Sequence, residues 1–218
     1  MTFAAFFRNA LVFGGMLSAV AQPARKEEPW DVPFAKDTAR LMAAARAAAK
    51  PDESTAVILL EEHVYHIDNR GRARTTFRKV FRVLDAEAVE DWASVEYGFA
   101  PWHQKKPELR ARVITEDGAE HWLDRKTITD APALELDSSV FSDRREIRAP
   151  LPAVAKGAVV EYEVTLADTA PFFDSGTAFR VIAAPDVPLR RFHFQLTSAS
   201  PLPLQVATRQ IPDNAVQR

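Results

Sequence analysis

The sequence predicts a mainly β protein, an antiparallel β-sandwich preceded by one helix. From residue 57 onward, short runs of β-forming residues are separated by turns, and prolines fall between the runs. Residues 157–166 alternate apolar and polar side chains, which is typical of a strand with one buried face. No strong helical pattern follows residue 50. Many short strands with proline-rich connections favour a sandwich, and a barrel is the alternative.

An alanine-rich segment precedes the strands. Asp31 can cap a helix with Pro33 in its first turn, and Pro51 would end that helix. We therefore expect one helix over residues 34–50. Its apolar face is mostly alanine, so we expect either light packing against the following domain or a role as a spacer.

The strongest local β signal is a hairpin. Residues 57–67 and 72–84 are two extended runs, and the turn between them contains Gly71, which can take a positive φ. A single helical turn is expected at residues 124–129. Further strands are predicted at residues 92–99, 109–115, 121–123, 157–166, 178–183 and 189–197.

The composition excludes several kinds of chemistry. The 218 residues include no cysteine, so disulfides, thiolate metal sites and cysteine nucleophiles are excluded. The seven glycines form neither GxGxxG nor GxxxxGK[ST], the two common phosphate-binding patterns. A net charge of -2 creates no overall attraction for nucleic acid. We therefore predict no cofactor and no nucleic-acid partner.

The first 21 residues have the shape of an export signal. Arg8 is their one charge, an apolar run follows it, and Ala19 and Ala21 are the small residues that a signal peptidase reads. The apolar run is too short to span a bilayer. We therefore predict a signal peptide at 1–21, cleaved before Gln22, and no membrane span in the mature protein. The expected location is the periplasm or the cell exterior.

Candidate metal ligands and nucleophiles give weak signals. His63 and His66 lie three residues apart in a predicted strand, so their side chains point to opposite faces and cannot share one ion. No GxSxG pattern is present, and the serines at 138, 139 and 142 belong to a polar loop. We therefore predict no catalytic and no metal-binding residue.

Paired charges on the predicted strands have a structural explanation. Glu161 and Glu163 share the outward face of one strand, where cross-strand pairing explains them more simply than acid–base catalysis. The predicted partners are Arg144, Arg145 and Arg148. Lys105, Lys106, Arg110 and Arg112 form a basic face that we expect to be solvated.

An aromatic loop is the best candidate for ligand contact. Residues 100–107 form a polar, proline-bounded loop that carries Trp102 and His103, and Tyr97 precedes it in a predicted strand. Aromatic side chains on such loops often contact sugars or protein partners. The alternative is that Trp102 folds back as a lid on the core. We predict Trp102, His103 and Tyr97 as partner or ligand contacts.

Several motifs occur in an order that resembles a known family. The run at residues 148–164 contains P-x-V-x-x-G-x-V-[IV]-E-Y, and it resembles the signature of an uncharacterised bacterial domain found N-terminal to transglutaminase-like domains in exported proteins. The resemblance covers roughly residues 54–210. It also includes stretches at 57–66, 78–84, 112–118, 143–145 and 169–173.

The resemblance implies an immunoglobulin-like β-sandwich with an accessory, non-catalytic role beside a papain-like cysteine enzyme domain. The expected organisation is a signal peptide at 1–21, a linker with the alanine-rich helix at 22–53, and the accessory domain at 54–218. We expect the accessory domain to be truncated at its C-terminus. The expected partner is a transglutaminase-like domain or another envelope protein. The alternatives are a module that binds carbohydrate or cell-wall glycan, and an independent hydrolase.

Overall fold

The computed structural model describes residues 27–48, 54–133, 143–173, 180–183, 186–201, 207 and 209. The predicted signal peptide and the serines of the polar loop lie outside these residues. The helices are α1 (Thr38–Ala48) and the single turn α2 (Val89–Trp92), with 3₁₀ turns at Pro29–Asp31 and Arg125–Thr127. The strands are β1 (Ala56–Ile67), β2 (Ala73–Val83), β3 (Ser94–Phe99), β4 (Glu108–Ile114), β5 (Glu120–Trp122), β6 (Thr129–Pro132), β7 (Arg145–Pro150), β8 (Val159–Ala167) and β9 (Phe192–Ser198).

The described strands form two sheets, which confirms the mainly β prediction. One sheet has six strands in the order β5-β4-β8-β2-β1-β9, and the other has three in the order β3-β7-β6. The pairings are antiparallel except that β1 runs parallel to β9, with Glu61 opposite Phe192. Parallel neighbours need a long crossover between them, and β9 accordingly lies near the end of the described chain, far in sequence from β1.

The β1–β2 hairpin is confirmed. Its two strands pair from Ala56 opposite Val83 to Ile67 opposite Ala73, with one irregularity between Ile58 and Leu60. At the turn, Gly71 has a φ of 76°, in the region that glycine occupies without steric cost. The loop chemistry therefore sets the register of the longest pairing in the fold.

The inner face of the six-stranded sheet packs against the three-stranded sheet. The two sheets share one buried hydrophobic cluster, so the layers form a common core. Its members from the larger sheet include Phe81, Val113 and Val160. Its members from the smaller sheet include Val95, Phe99, Ile147 and Ala149.

The outer face of the six-stranded sheet is covered by the N-terminal segment. Leu41, Met42 and Ala45 of α1 are buried, and they pack in one cluster with side chains of β1, β2 and β8. Trp30 joins the same cluster. Covering both faces explains why the first six residues of β1 are all buried.

The helix starts later than predicted. The prediction that Asp31 caps this helix is wrong. Asp31 ends a 3₁₀ turn, and the chain then turns at Phe34, whose φ is 49°. The α-helix begins at Thr38, where the Asp37 carboxylate accepts a hydrogen bond from the N–H of Arg40 at 2.9 Å. No described helix has the length and apolar character needed to cross a membrane.

The strand predictions miss two of the three strands of the smaller sheet and fail near residue 180. β6 and β7 were not predicted, because their short sequences are rich in charge and proline. Trp92 belongs to α2 and not to a strand. Residues 180–183, the described part of a predicted strand, are in no strand.

We predict that Gly157→Ala lowers the free energy of unfolding by about 1–2 kcal/mol. Gly157 has a φ of 84°, and an added Cβ would lie 2.6 Å from the Glu116 Oε2 atom. Urea denaturation followed by circular dichroism measures the change. Gly98→Ala in β3 is the control, because its added Cβ would lie no closer than 3.8 Å to the Arg145 carbonyl oxygen. Equal stability of the two variants would contradict the prediction.

Candidate functional site

A buried carboxylate between two arginines organises the outer face of the six-stranded sheet. Glu161 on β8 lies between Arg78 on β2 and Arg112 on β4. Arg78 Nη2 donates to Glu161 Oε1 at 2.7 Å, and Arg112 Nη2 donates to Glu161 Oε2 at 2.8 Å. All three side chains are 1% exposed. Each carboxylate oxygen therefore has its own guanidinium partner, which offsets the cost of burying the charges.

The same three charges hold the N-terminal segment on the sheet. The N–H of Phe34 donates to Glu161 Oε1 at 2.7 Å, and Arg78 Nη2 donates to the carbonyl oxygen of Trp30 at 2.8 Å. The other terminal nitrogen, Arg78 Nη1, is buried without a hydrogen bond and lies 3.9 Å from Glu62 Oε2. The segment thus satisfies donors and acceptors that the strands alone would leave unpaired.

This geometry corrects two predictions about charge. Glu161 is not on a solvated face, and its partners are Arg78 and Arg112 instead of arginines 144, 145 and 148. Arg112 is not solvated, because the N-terminal segment covers its face of the sheet. On β7, Arg145 and Arg148 pair with Asp130 and Glu96 of the neighbouring strands.

Trp102 lies in an exposed group of rings. Trp102 is 53% exposed, so its side chain is not a lid on the core. Its ring centroid lies 5.3 Å from that of Phe172, which in turn lies 4.3 Å from that of Phe173. Phe172 and Phe173 are 45% and 50% exposed. We call these three side chains the aromatic surface.

Polar contacts fix the loop beneath the aromatic surface. The Gln104 side chain accepts from the N–H of Ala100 at 2.9 Å and donates to Asp168 Oδ1 at 3.2 Å. His103 is buried under Trp102, with 4.0 Å between the ring centroids. Its Nδ1 atom has no hydrogen bond and lies 3.7 Å from Asp168 Oδ1. Two of the predicted contact residues, Trp102 and His103, therefore lie together, and His103 is buried.

Tyr97 is not part of this group. Its ring lies 6.3 Å from that of Phe77, and burial raises its pKa to about 12. Among the described residues it makes no ring contact with Trp102. Sequence reasoning missed Phe172 and Phe173 as contact residues, although two adjacent phenylalanines after Pro171 in a loop were a usable signal.

A second polar cluster lies on β1 and β2. Glu61 is buried and accepts from His63 Nε2 at 3.1 Å, and Lys79 Nζ lies 3.3 Å from its other oxygen. Burial acts to raise the pKa of Glu61, but these two partners outweigh burial and lower the pKa. His66 faces the other way, toward Thr197, which confirms that the two histidines do not converge. The described residues contain no group of three metal-ligating side chains.

The fold and these surfaces define a mainly β domain of two packed sheets with an exposed aromatic surface. The chain belongs to the family described as Domain of Unknown Function with solved-structure structure (DUF3857), which matches residues 69–217. The expected resemblance to a domain of unknown function is confirmed. A position beside transglutaminase-like domains stays a prediction.

The structural comparison agrees on the fold. The chain is similar to the crystal structure of a putative protease from Parabacteroides distasonis, with 10% sequence identity and a TM-score of 0.50. The match covers 56% of this chain and 24% of that one, so the shared fold spans about a quarter of the protease's length. No curated protein sequence matches the chain.

We predict that Glu161→Gln lowers the free energy of unfolding by about 3–5 kcal/mol, because two buried arginines lose their shared counter-charge. Glu163→Gln on the same face of β8 is the matched control and should cost about 1 kcal/mol or less, because Glu163 is only half-buried. Urea denaturation monitored by tryptophan fluorescence compares the two. Similar losses for both variants would show that the buried group is not the main support of this face.

We predict that the folded chain shows little tyrosinate absorbance at pH 10. The chain has three tyrosines, and burial raises the pKa of each, with Tyr97 at about 12. Tyrosines of the unfolded chain release their protons near pH 10, whereas those of the folded chain hold them to higher pH. The three tyrosines therefore contribute to the free energy of unfolding below pH 10, and this contribution should be lost as the pH rises through the pKa values of the folded chain.

Ultraviolet titration of folded and urea-unfolded chain measures this difference. Tyr97→Phe should remove one of the late-titrating groups. Superimposable titration curves for the folded and unfolded chain would contradict the prediction.

Proposed function

We propose that this chain is a non-catalytic interaction domain of an exported protein, and that it docks a transglutaminase-like, papain-like catalytic domain through the aromatic surface. The observation that carries the proposal is the contact between three exposed rings, those of Trp102, Phe172 and Phe173. Contiguous apolar surface of this kind marks interaction sites, whereas single exposed apolar residues need no explanation.

The support beneath the rings suits them to binding. Trp102 lies on a loop held by Gln104 and Asp168, and its ring rests on the buried ring of His103. The loop is therefore already ordered, and docking of a partner would cost little of the loop's conformational entropy. Aromatic side chains are also enriched among residues that dominate binding energy.

The accessory role has indirect support. The fold occurs in about a quarter of the length of a chain described as a putative protease, so a similar fold stands beside other parts of a larger protein there. The proposal of export rests on the signal-like residues 1–21. We also propose that the two packed sheets have an immunoglobulin-like arrangement. The family assignment is compatible with this role without specifying it.

We predict that Trp102→Ala weakens docking to the transglutaminase-like domain of the full-length protein by about ten-fold or more, because exposed aromatic anchors contribute at least 1–2 kcal/mol each. The catalytic domain is expressed separately, and its affinity is measured by calorimetry. Trp122→Ala is the matched control, because Trp122 is 46% exposed and lies outside the aromatic surface. Unchanged affinity for Trp102→Ala, or a full-length protein without such a domain, would refute this function.

A glycan-binding module is the second candidate, and the exposed Trp102 ring favours it because sugars stack on indole faces. Peptidoglycan pull-down with the same two variants separates the candidates. Retention on peptidoglycan that is lost only in Trp102→Ala, without affinity for the catalytic domain, would support the glycan module.

A further inference from the structure

A cleft at one end of the six-stranded sheet collects three cations around one carboxylate. It lies where α1, the end of β2, the β4–β5 turn and the β7–β8 loop meet. Its charged lining residues are Arg46, Arg82, Lys156 and Glu116. Its volume of about 200 Å³ is smaller than the roughly 300–1,000 Å³ of sites for larger organic ligands. The cleft therefore has room for a small ion or a single charged group.

Two of the cations converge on one atom. Arg82 Nη2 lies 3.5 Å from Glu116 Oε1, and Arg46 Nε lies 4.0 Å from the same oxygen. Backbone carbonyls fix both guanidinium groups at the cleft. Arg46 Nη2 donates to the carbonyl oxygen of Glu116 at 2.8 Å, and Arg82 Nε donates to that of Gly157 at 3.3 Å. The two arginines are thus held in place largely by neutral acceptors.

The single carboxylate does not neutralise this group of cations. Burial lowers the pKa of Arg82, Glu116 acts to raise it, and the charge of Arg46 lowers it again. The Glu116 side chain is 59% exposed and its contacts with the arginines are long, so water screens its charge. Within the described ranges, Lys156 forms no ion pair. The cleft therefore keeps an excess of positive charge.

The neighbouring carboxylates are engaged in their own loops. Asp117 accepts from the Thr115 hydroxyl at 2.5 Å and from the N–H of Ala119 at 3.3 Å. Asp85 accepts from the N–H of Glu87 at 3.1 Å. Neither aspartate lines the cleft. The positive potential of the cleft therefore favours an anion from outside the described part of the chain.

We propose that this cleft is a phosphate site in which Arg46, Arg82 and Lys156 hold the ligand. The phosphate takes the position of the Glu116 carboxylate, which rotates out to solvent from its exposed turn. A tetrahedral dianion presents acceptor oxygens in several directions, and guanidinium groups bind such oxygens through charge-assisted hydrogen bonds. Free phosphate and a phosphate monoester share this chemistry. The site does not rest on the proposed docking function.

Nuclear magnetic resonance titration of the full chain with inorganic phosphate at constant ionic strength tests the proposal. We expect shifts in the amides of Glu116 and Gly157, at the centre of the cleft. Nitrate, a planar ion with one charge, should bind about ten-fold more weakly or not at all, because it forms fewer charge-assisted hydrogen bonds. Equal affinity for the two ions, or shifts confined to other regions, would overturn the proposal.

Variants with opposite expected effects locate the site. Arg82→Gln should weaken phosphate binding by about ten-fold, since it removes a charge-assisted donor. Glu116→Gln should strengthen it by about ten-fold, because the displaced carboxylate no longer competes. Arg148→Gln, an exposed arginine on β7, is the control and should change nothing.

A phosphate affinity of Glu116→Gln that is unchanged or weaker would refute the site, because a purely structural carboxylate would not compete with the ligand. If Arg82→Gln does not fold, Lys156→Gln on the exposed loop replaces it, and unchanged affinity in that variant is equally decisive. Trp102→Ala should leave phosphate binding intact, so failure of the docking function and failure of this site are distinguishable.

A second probe identifies the source of the phosphate. Glycerol 3-phosphate carries the same dianion on a small organic group. Tighter binding of glycerol 3-phosphate than of inorganic phosphate supports a phosphate monoester as the ligand. Equal or weaker binding supports free phosphate, because the small cleft then has no place for the attached group.

Discussion

The fold depends on one carboxylate shared by two buried arginines. Glu161 joins β8 to β2 through Arg78 and to β4 through Arg112, and it also accepts the N–H of Phe34. Removing such charges from water is expensive, and the cost is offset only when every partner is in place. The buried group therefore couples the register of three strands to the docking of the N-terminal segment.

This coupling extends from the core to the surface. Phe34, held by Glu161, stacks on Arg110, so a segment before the first strand helps to order the outer surface of β4. The aromatic surface has a different support, the bridge between Gln104 and Asp168. The aromatic surface and the outer surface of β4 thus rest on separate polar contacts.

Local chemistry predicted some parts of the fold well and others poorly. The β1–β2 hairpin follows from two long β-forming runs around Gly71, whose φ is positive as expected. β6 and β7 escaped prediction because a short strand with alternating charges resembles a loop until a partner strand pairs with it. The candidate contact residues show the same limit. Trp102 could be chosen from its loop, but its contact with Phe172, 70 residues later, required the fold.

The sequence by itself determined which side chains alternate along each strand and which residues form the turns, because both depend on local backbone geometry. It did not determine which strand face would be covered. Glu161 and Arg112 read as surface charges, and only the tertiary structure buried them, since the N-terminal segment packs over that face. Burial depends on contacts between residues far apart in the chain, and a periodic pattern carries no information about the partner that supplies them.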